Sequence, residues 1–224
     1  MQSRIDHLVV AARTLPEGIA WCRDTFGFEP AAGGQHPLMG THNRVFRIDT
    51  PAFPRAYFEI IAIDEAAPAP GRTRWFDLDD PQLRSAIASG PRLIHFVAST
   101  DDAVRAAAAL SALDIDRGPL VAAERPTPAG LLRWKISVRA DGQRLFAGAL
   151  PTLIEWGSAH PCESLPASGL SLRALECTHP QADRLAAAYD AIGLAQVAPA
   201  AGPANLVALL DTPRGVVRLE SGGA

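Results

Sequence analysis

With 224 residues, 48% of them apolar, and a formal net charge of −3, the chain has the composition of a globular protein that can bury its own core. The weak negative charge, with no basic run or basic-aromatic interleaving, argues against nucleic acid as a partner, and no apolar run reaches the roughly 18 residues of a membrane-spanning helix. Three cysteines without CxxC spacing, and a start (MQSRIDH) without a signal-peptide pattern, set the expectation of a reduced, cytoplasmic protein acting on a small molecule.

In chain order, RIDHLVVAA reads as a buried strand interrupted by one histidine, His7. The segment TLPEGIAWCRDTFGF predicts an amphipathic helix, with Pro16 suited to its first turn and Gly27 to its end. A loop rich in Gly and Pro, AAGGQHPLMG, precedes the strands THNRVFRID and RAYFEIIAID. The pattern then recurs. LIHFVAS is again an apolar strand with one histidine, His95, followed by an alanine-rich helix that Asp101 can cap and by strands at GLLRWKISVR and LPTLIEWG. A third pass runs through GLSLRALEC, QADRLAAAYDAIGL, ANLVALLDT and GVVRLES.

These repeats predict an α+β fold of βαβββ modules. Residues 1–65 make module 1, 66–91 a linker with a short helix near 81–88, and 92–157 module 2; residues 170–224 make a third, βαβ-type module. The linker could be a lid or only a connector. Matching the helix ends at Gly27 and Gly193 sets His7 against Arg173 and places Glu59 near Glu220. The third module therefore repeats no His/Glu pair, and packing it against a second copy of the chain in a homodimer is the expected way to bury it.

Two carboxylates interrupt the last strands of the first two modules, Glu59 in YFEII and Glu155 in LIEW. A buried glutamate needs a partner, because taking an unpaired carboxylate out of water costs several kcal/mol. The strand histidines are candidates: Glu59 follows His7 by 52 residues and Glu155 follows His95 by 60. His7, Glu59, His95 and Glu155 together would suit a divalent ion such as Zn²⁺, Ni²⁺, Mn²⁺ or Fe²⁺. A single histidine in a strand is also commonly a hydrogen-bonded core residue.

In IDHLVVAARTLPEGIAWCRDTFG, HPLMGTHNRVFRI and YFEIIAID, and in the βαβββ order written twice over residues 4–157, the sequence resembles the vicinal oxygen chelate superfamily and its glyoxalase-like domain proteins. The resemblance implies paired modules forming a cupped barrel, with ligands from the first and last strands of each module, which fall here on His7, Glu59, His95 and Glu155. It further implies Glu155 or Glu59 as the group that moves a proton, and His42 or Asn43 of the GTHN segment as a substrate contact. Those two residues could equally belong to an ordinary hairpin. Arg133 and Lys135 share one face of their strand, where they are either a solvated edge or a site for a substrate carboxylate. The leading functional expectation is a metal-dependent lyase or isomerase of glyoxalase type, acting on a small oxygenated metabolite through an enediolate-like intermediate. A metal-free protein that binds or sequesters a small molecule is the rival, and an extradiol-type dioxygenase the third reading.

Overall fold

The computed structural model describes residues 1–127 and 130–223. Strand β1 (Ser3–Ala11) leads into helix α1 (Leu15–Phe26), and strands β2 (Ala31–His36), β3 (Thr41–Arg47) and β4 (Tyr57–Ile63) complete the first unit. The start and end of α1 follow the sequence signals. Thr14 caps it by accepting from the Glu17 N–H, Pro16 lies in its first turn, and Gly27 ends it in the left-handed region at φ 70°. Gly18 sits inside the helix because a Cβ there would meet Ile60 of β4 at 2.5 Å, so its absence lets α1 lie close on the sheet.

Helix α2 (Pro81–Ile87) lies in the linker, and the second unit runs through β5 (Arg92–Thr100), α3 (Ala103–Ser111), β6 (Leu120–Thr127), β7 (Gly130–Ser137) and β8 (Thr152–Trp156). Asp102 rather than Asp101 caps α3, accepting from the Arg105 N–H, while Asp101 accepts from the Gln2 N–H. In these first two units, two strands lie outside those read from sequence. β2 carries Gly33 and Gly34, which look like loop residues, and β6 precedes the hairpin turn before β7.

The eight strands form one curled sheet in the order β2-β3-β4-β1-β5-β8-β7-β6. In each half the first strand pairs in parallel with the last, β1 with β4 and β5 with β8, and the halves join where β1 and β5 run antiparallel. Leu8, Val10, Phe58, Ile60, Phe96 and Leu153 look outward to a core shared with α1 and α3. Val9, Ala11, Ile61, Val97, Ile136 and Ile154 look into the cup, where the linker's Phe76 and Leu78 and α2's Leu83 and Ile87 pack onto them. The linker thus fills the floor of the cup.

The third unit comprises β9 (Ser171–His179), α4 (Ala182–Ile192), β10 (Pro199–Ala201), β11 (Asn205–Thr212) and β12 (Gly215–Glu220) in a separate sheet ordered β10-β9-β11-β12. Its first strand pairs antiparallel with β11, not in parallel with its last strand, so it does not copy the first two units. Leu185, Tyr189, Leu206 and Leu210 join the same core as Phe96 and Leu153, and the Tyr189 hydroxyl donates to Ala149 O at 2.6 Å. Burial of this unit therefore requires no second copy of the chain. Arg173 is exposed and paired with Asp211, and Glu220 is exposed beside Arg218. Among the described residues no helix is long and apolar enough to cross a membrane.

Candidate active site

The cavity in the cup is lined by His7, His36, Asn43, Tyr57, Glu59, Trp75, Arg125, Trp134 and Trp156, among others. Its polar centre is a three-member chain. Asp6, which is 1% exposed, accepts from the Trp156 indole N–H at 2.9 Å through Oδ2, and the same oxygen lies 3.1 Å from His160 Nε2. His160 Nδ1 accepts from the Cys162 N–H, so its proton sits on Nε2 and points at Asp6. Burial alone would raise the Asp6 pKa, but the hydrogen bonds from His160 and His7 outweigh it and hold Asp6 well below the usual carboxylate range. Asp6 Oδ1 lies 2.7 Å from His7 Nδ1. Since Asp6 is an ionised acceptor, His7 must carry its proton on Nδ1 and present Nε2 to the cavity.

His7 Nε2 lies 3.6 Å from Glu59 Oε2, with both side chains about 6% exposed. Tyr57 stacks on the His7 ring at 4.4 Å, which fixes its plane. The other oxygen, Glu59 Oε1, accepts from Asn43 Nδ2 at 2.5 Å. Asn43 is held in turn by the Gly34 N–H, which donates to its Oδ1 at 2.7 Å, and by His36 Nε2 at 3.4 Å from Nδ2. His36 hydrogen-bonds Thr41 through Nδ1, and burial, then the charge of Arg125, lowers its pKa to about 3, which keeps it neutral. Each polar group around Glu59 therefore has its orientation set by a second contact.

A glyoxalase-like domain model matches residues 5–193. The chain belongs to the glyoxalase-like domain family. Among solved structures, a hypothetical protein from Staphylococcus aureus superposes with a TM-score of 0.58 over 90% of this chain and 87% of its own, at 12% identity. A Streptomyces coelicolor methylmalonyl-CoA epimerase variant, in complex with 2-nitronate-propionyl-CoA, gives 0.44 over 71% of this chain and 99% of its own, at 19% identity. No curated protein matches the chain.

The pairing register of this family member shows what became of the second half of the expected ligand set. Val9 pairs with Glu59, and Val97 pairs with Thr152. Because the antiparallel β1–β5 ladder sets Val9 opposite His95 and His7 opposite Val97, His95 is the counterpart of His7 and Thr152 the counterpart of Glu59. His95 is fully buried beside Phe76. Its Nδ1 lies 2.7 Å from Gly148 O, and its Nε2 accepts from the Thr152 N–H at 3.2 Å and lies 3.0 Å from the Thr152 hydroxyl. Both ring nitrogens are spent on structure. The Thr152 hydroxyl also accepts from the buried Arg117 guanidinium.

Glu155 lies three residues beyond Thr152, so strand alternation turns it to the outer face of β8. There it pairs with Lys135 at 2.7 Å and accepts from the Ala103 N–H at the start of α3, which together lower its pKa. The convergence of His7, Glu59, His95 and Glu155 on one point is thereby corrected to a single pair, His7 and Glu59. Among the described residues no three His, Cys, Asp or Glu side chains are placed to hold a metal ion, and this donor set does not fit a four-ligand divalent centre. Two of the expected substrate contacts also lie elsewhere. Arg133 is exposed and pairs with Glu124, and His42 turns away from the cavity toward Asp64 at 3.8 Å. Asn43 faces the cavity; Asp6 and Arg125 carry no signal in the sequence, where His160, beside a proline, has no assigned role and Trp75 reads as packing.

Glu155→Gln should leave small-molecule binding unchanged and cost about 1 kcal/mol or less, as expected for a half-exposed ion pair and one cap contact. Urea unfolding and ligand titration of the variant check this, and lost binding with an intact fold would contradict the outward placement.

Proposed function

We propose that the protein is an acid-base isomerase or lyase that removes a proton from a small oxygenated metabolite, giving an enediolate-like intermediate, with Glu59 as the base. The observation that supports this reading is the Asp6–His7–Glu59 chain ending in a buried carboxylate on an aromatic-walled cavity. Glu59 Oε2 takes the proton from the substrate carbon while Asn43 holds Oε1. His7 Nε2 can accept that proton from Glu59 and return it, and Asp6 stabilises the imidazolium so formed. Negative charge left on the substrate builds up in a cavity that also holds the Arg125 guanidinium, where a fixed cation is worth more than in water.

A divalent ion was the expected cofactor, and His7 and Glu59 could offer it two donors. The proposed steps use none. Chelator treatment, and subsequent addition of Zn²⁺, Ni²⁺, Mn²⁺ or Fe²⁺, should leave the melting temperature and the reaction unchanged; a chelator-induced fall in either would restore the metal-dependent reading. The second reading, a sequestering protein, draws on the Trp75, Trp134 and Trp156 lining. Chelator-treated protein incubated with small hydroxy- and oxo-carbonyl compounds, with products followed by NMR, separates the two: the enzyme converts one of them, and a sequestering protein binds without converting any.

A further inference from the structure

Two observations concern a cavity residue that the proton chain does not use. The Arg125 side chain reaches the cavity from β6, and among the described residues no carboxylate pairs with it and no hydrogen bond satisfies it. Its guanidinium lies over the backbone of Gly34 in β2 so closely that a Cβ at that position would overlap it, which carries a cation from one edge strand of the sheet to the other. A half-buried guanidinium without a counter-charge is unfavourable, and an anionic ligand group in the cavity relieves it.

We infer that Arg125 binds the carboxylate of the substrate, so that the metabolite acted on is a small carboxylic acid. The inference rests on the acid-base reading for what happens to the ligand, but not for its binding. A carboxylate is planar and takes two parallel N–H bonds from a guanidinium fork. His36, which stands edge-on to Trp75 at 5.1 Å, is kept neutral and adds no competing cation. The carboxylate anchor, on β6, and the base, on β4, thus lie on different elements lining the same cavity. Gly34 has a specific role in this arrangement, since any side chain there pushes the guanidinium out of place.

The test is binding of pyruvate by calorimetry, with pyruvamide and inorganic phosphate as comparison ligands. Wild-type protein should bind pyruvate and fail to bind the uncharged amide, with phosphate weaker than pyruvate. Arg125→Gln should weaken pyruvate binding about 10- to 100-fold, the range for a lost hydrogen bond to a charged group. Arg125→Lys should recover part of the loss. Gly34→Ala should weaken binding with every charge still in place and circular dichroism unchanged. Absence of pyruvate binding by the wild type, equal binding by Arg125→Gln, or binding of amide or phosphate as tight as that of pyruvate would each overturn the inference. Glu59→Gln separates the two proposals. If it binds pyruvate normally and no acid is ever converted by the wild type, the anchor stands and the acid-base reading falls; conversion that survives Arg125→Gln unaltered sinks the anchor alone.

Discussion

Glu59→Gln should lower turnover by about 10²- to 10⁴-fold, the usual contribution of a positioned general base, while leaving ligand binding close to that of the wild type. Glutamine is isosteric with glutamate, and its amide oxygen can still accept from Asn43 Nδ2, the 2.5 Å contact that orients Glu59. What it cannot do is take a proton from carbon and pass it to His7 Nε2, 3.6 Å away. A fall in kcat with little change in KM is the pattern for an interaction made only in the transition state. Steady-state kinetics of the variant check this. A sequestering protein would show no conversion to lose and unchanged affinity, and a rise in KM alone would assign Glu59 to binding.

Asp6→Asn should be both inactive and unstable, because Asp6 organises three donors at once. If the asparagine oxygen keeps the Trp156 and His160 N–H groups, its NH₂ faces His7 Nδ1 and forces the His7 proton onto Nε2, toward Glu59. The imidazole is then in the wrong tautomer to accept a proton, and activity should fall by orders of magnitude although every other side chain is in place. Stability should drop by about 3 kcal/mol or more, since a fully buried, multiply hydrogen-bonded carboxylate is replaced by a group that cannot satisfy all its donors. The pH dependence has a definite sign. The folded-state pKa of Asp6 is depressed below the ordinary 3.8, so its contribution is complete above about pH 4 to 5 and is lost as pH falls through the depressed value. Urea unfolding at pH 7 should therefore show the full gap between wild type and Asp6→Asn, and the gap should narrow below pH 4. A gap that widens on acidification would contradict the ionised state of Asp6.

The extent to which the sequence announced this site follows from strand geometry. His7 and Glu59 stood out because each interrupts an apolar strand, and the βαβββ order put them on neighbouring strands of one sheet. His95 stood out equally, but its equivalence to His7 says nothing of whether its partner survives. The residue that matches Glu59 is Thr152, which no charge marks in the sequence, and Glu155 drew attention as the nearest carboxylate although it lies an odd number of residues away. Asp6 was hidden by the opposite effect. Adjacent strand residues normally face opposite sides, and only the register shift between Ile5 and His7 against β5 lets Asp6 and His7 meet. β2 read as loop because of its paired glycines. Their lack of side chains makes room for Asn43 at Gly33 and for Arg125 at Gly34, contacts about 10 and 90 residues away in the chain that local propensity cannot carry. The linker's Trp75 and Phe76 gave no periodic signal, since they enter the cup from an irregular segment.

The central claim, that Glu59 removes a carbon-bound proton from a small acid in this cavity, is tested most directly by solvent exchange. Chelator-treated protein in D₂O would be incubated with pyruvate, 2-oxobutanoate, lactate and methylmalonate, and the C–H signal next to the carbonyl or hydroxyl carbon followed by proton NMR. The account predicts that wild-type protein washes deuterium into at least one of these acids at a rate proportional to enzyme, and that Glu59→Gln abolishes this while still binding the acid. Absence of exchange into every acid that the wild type binds, or exchange that persists at the wild-type rate in Glu59→Gln, would contradict it.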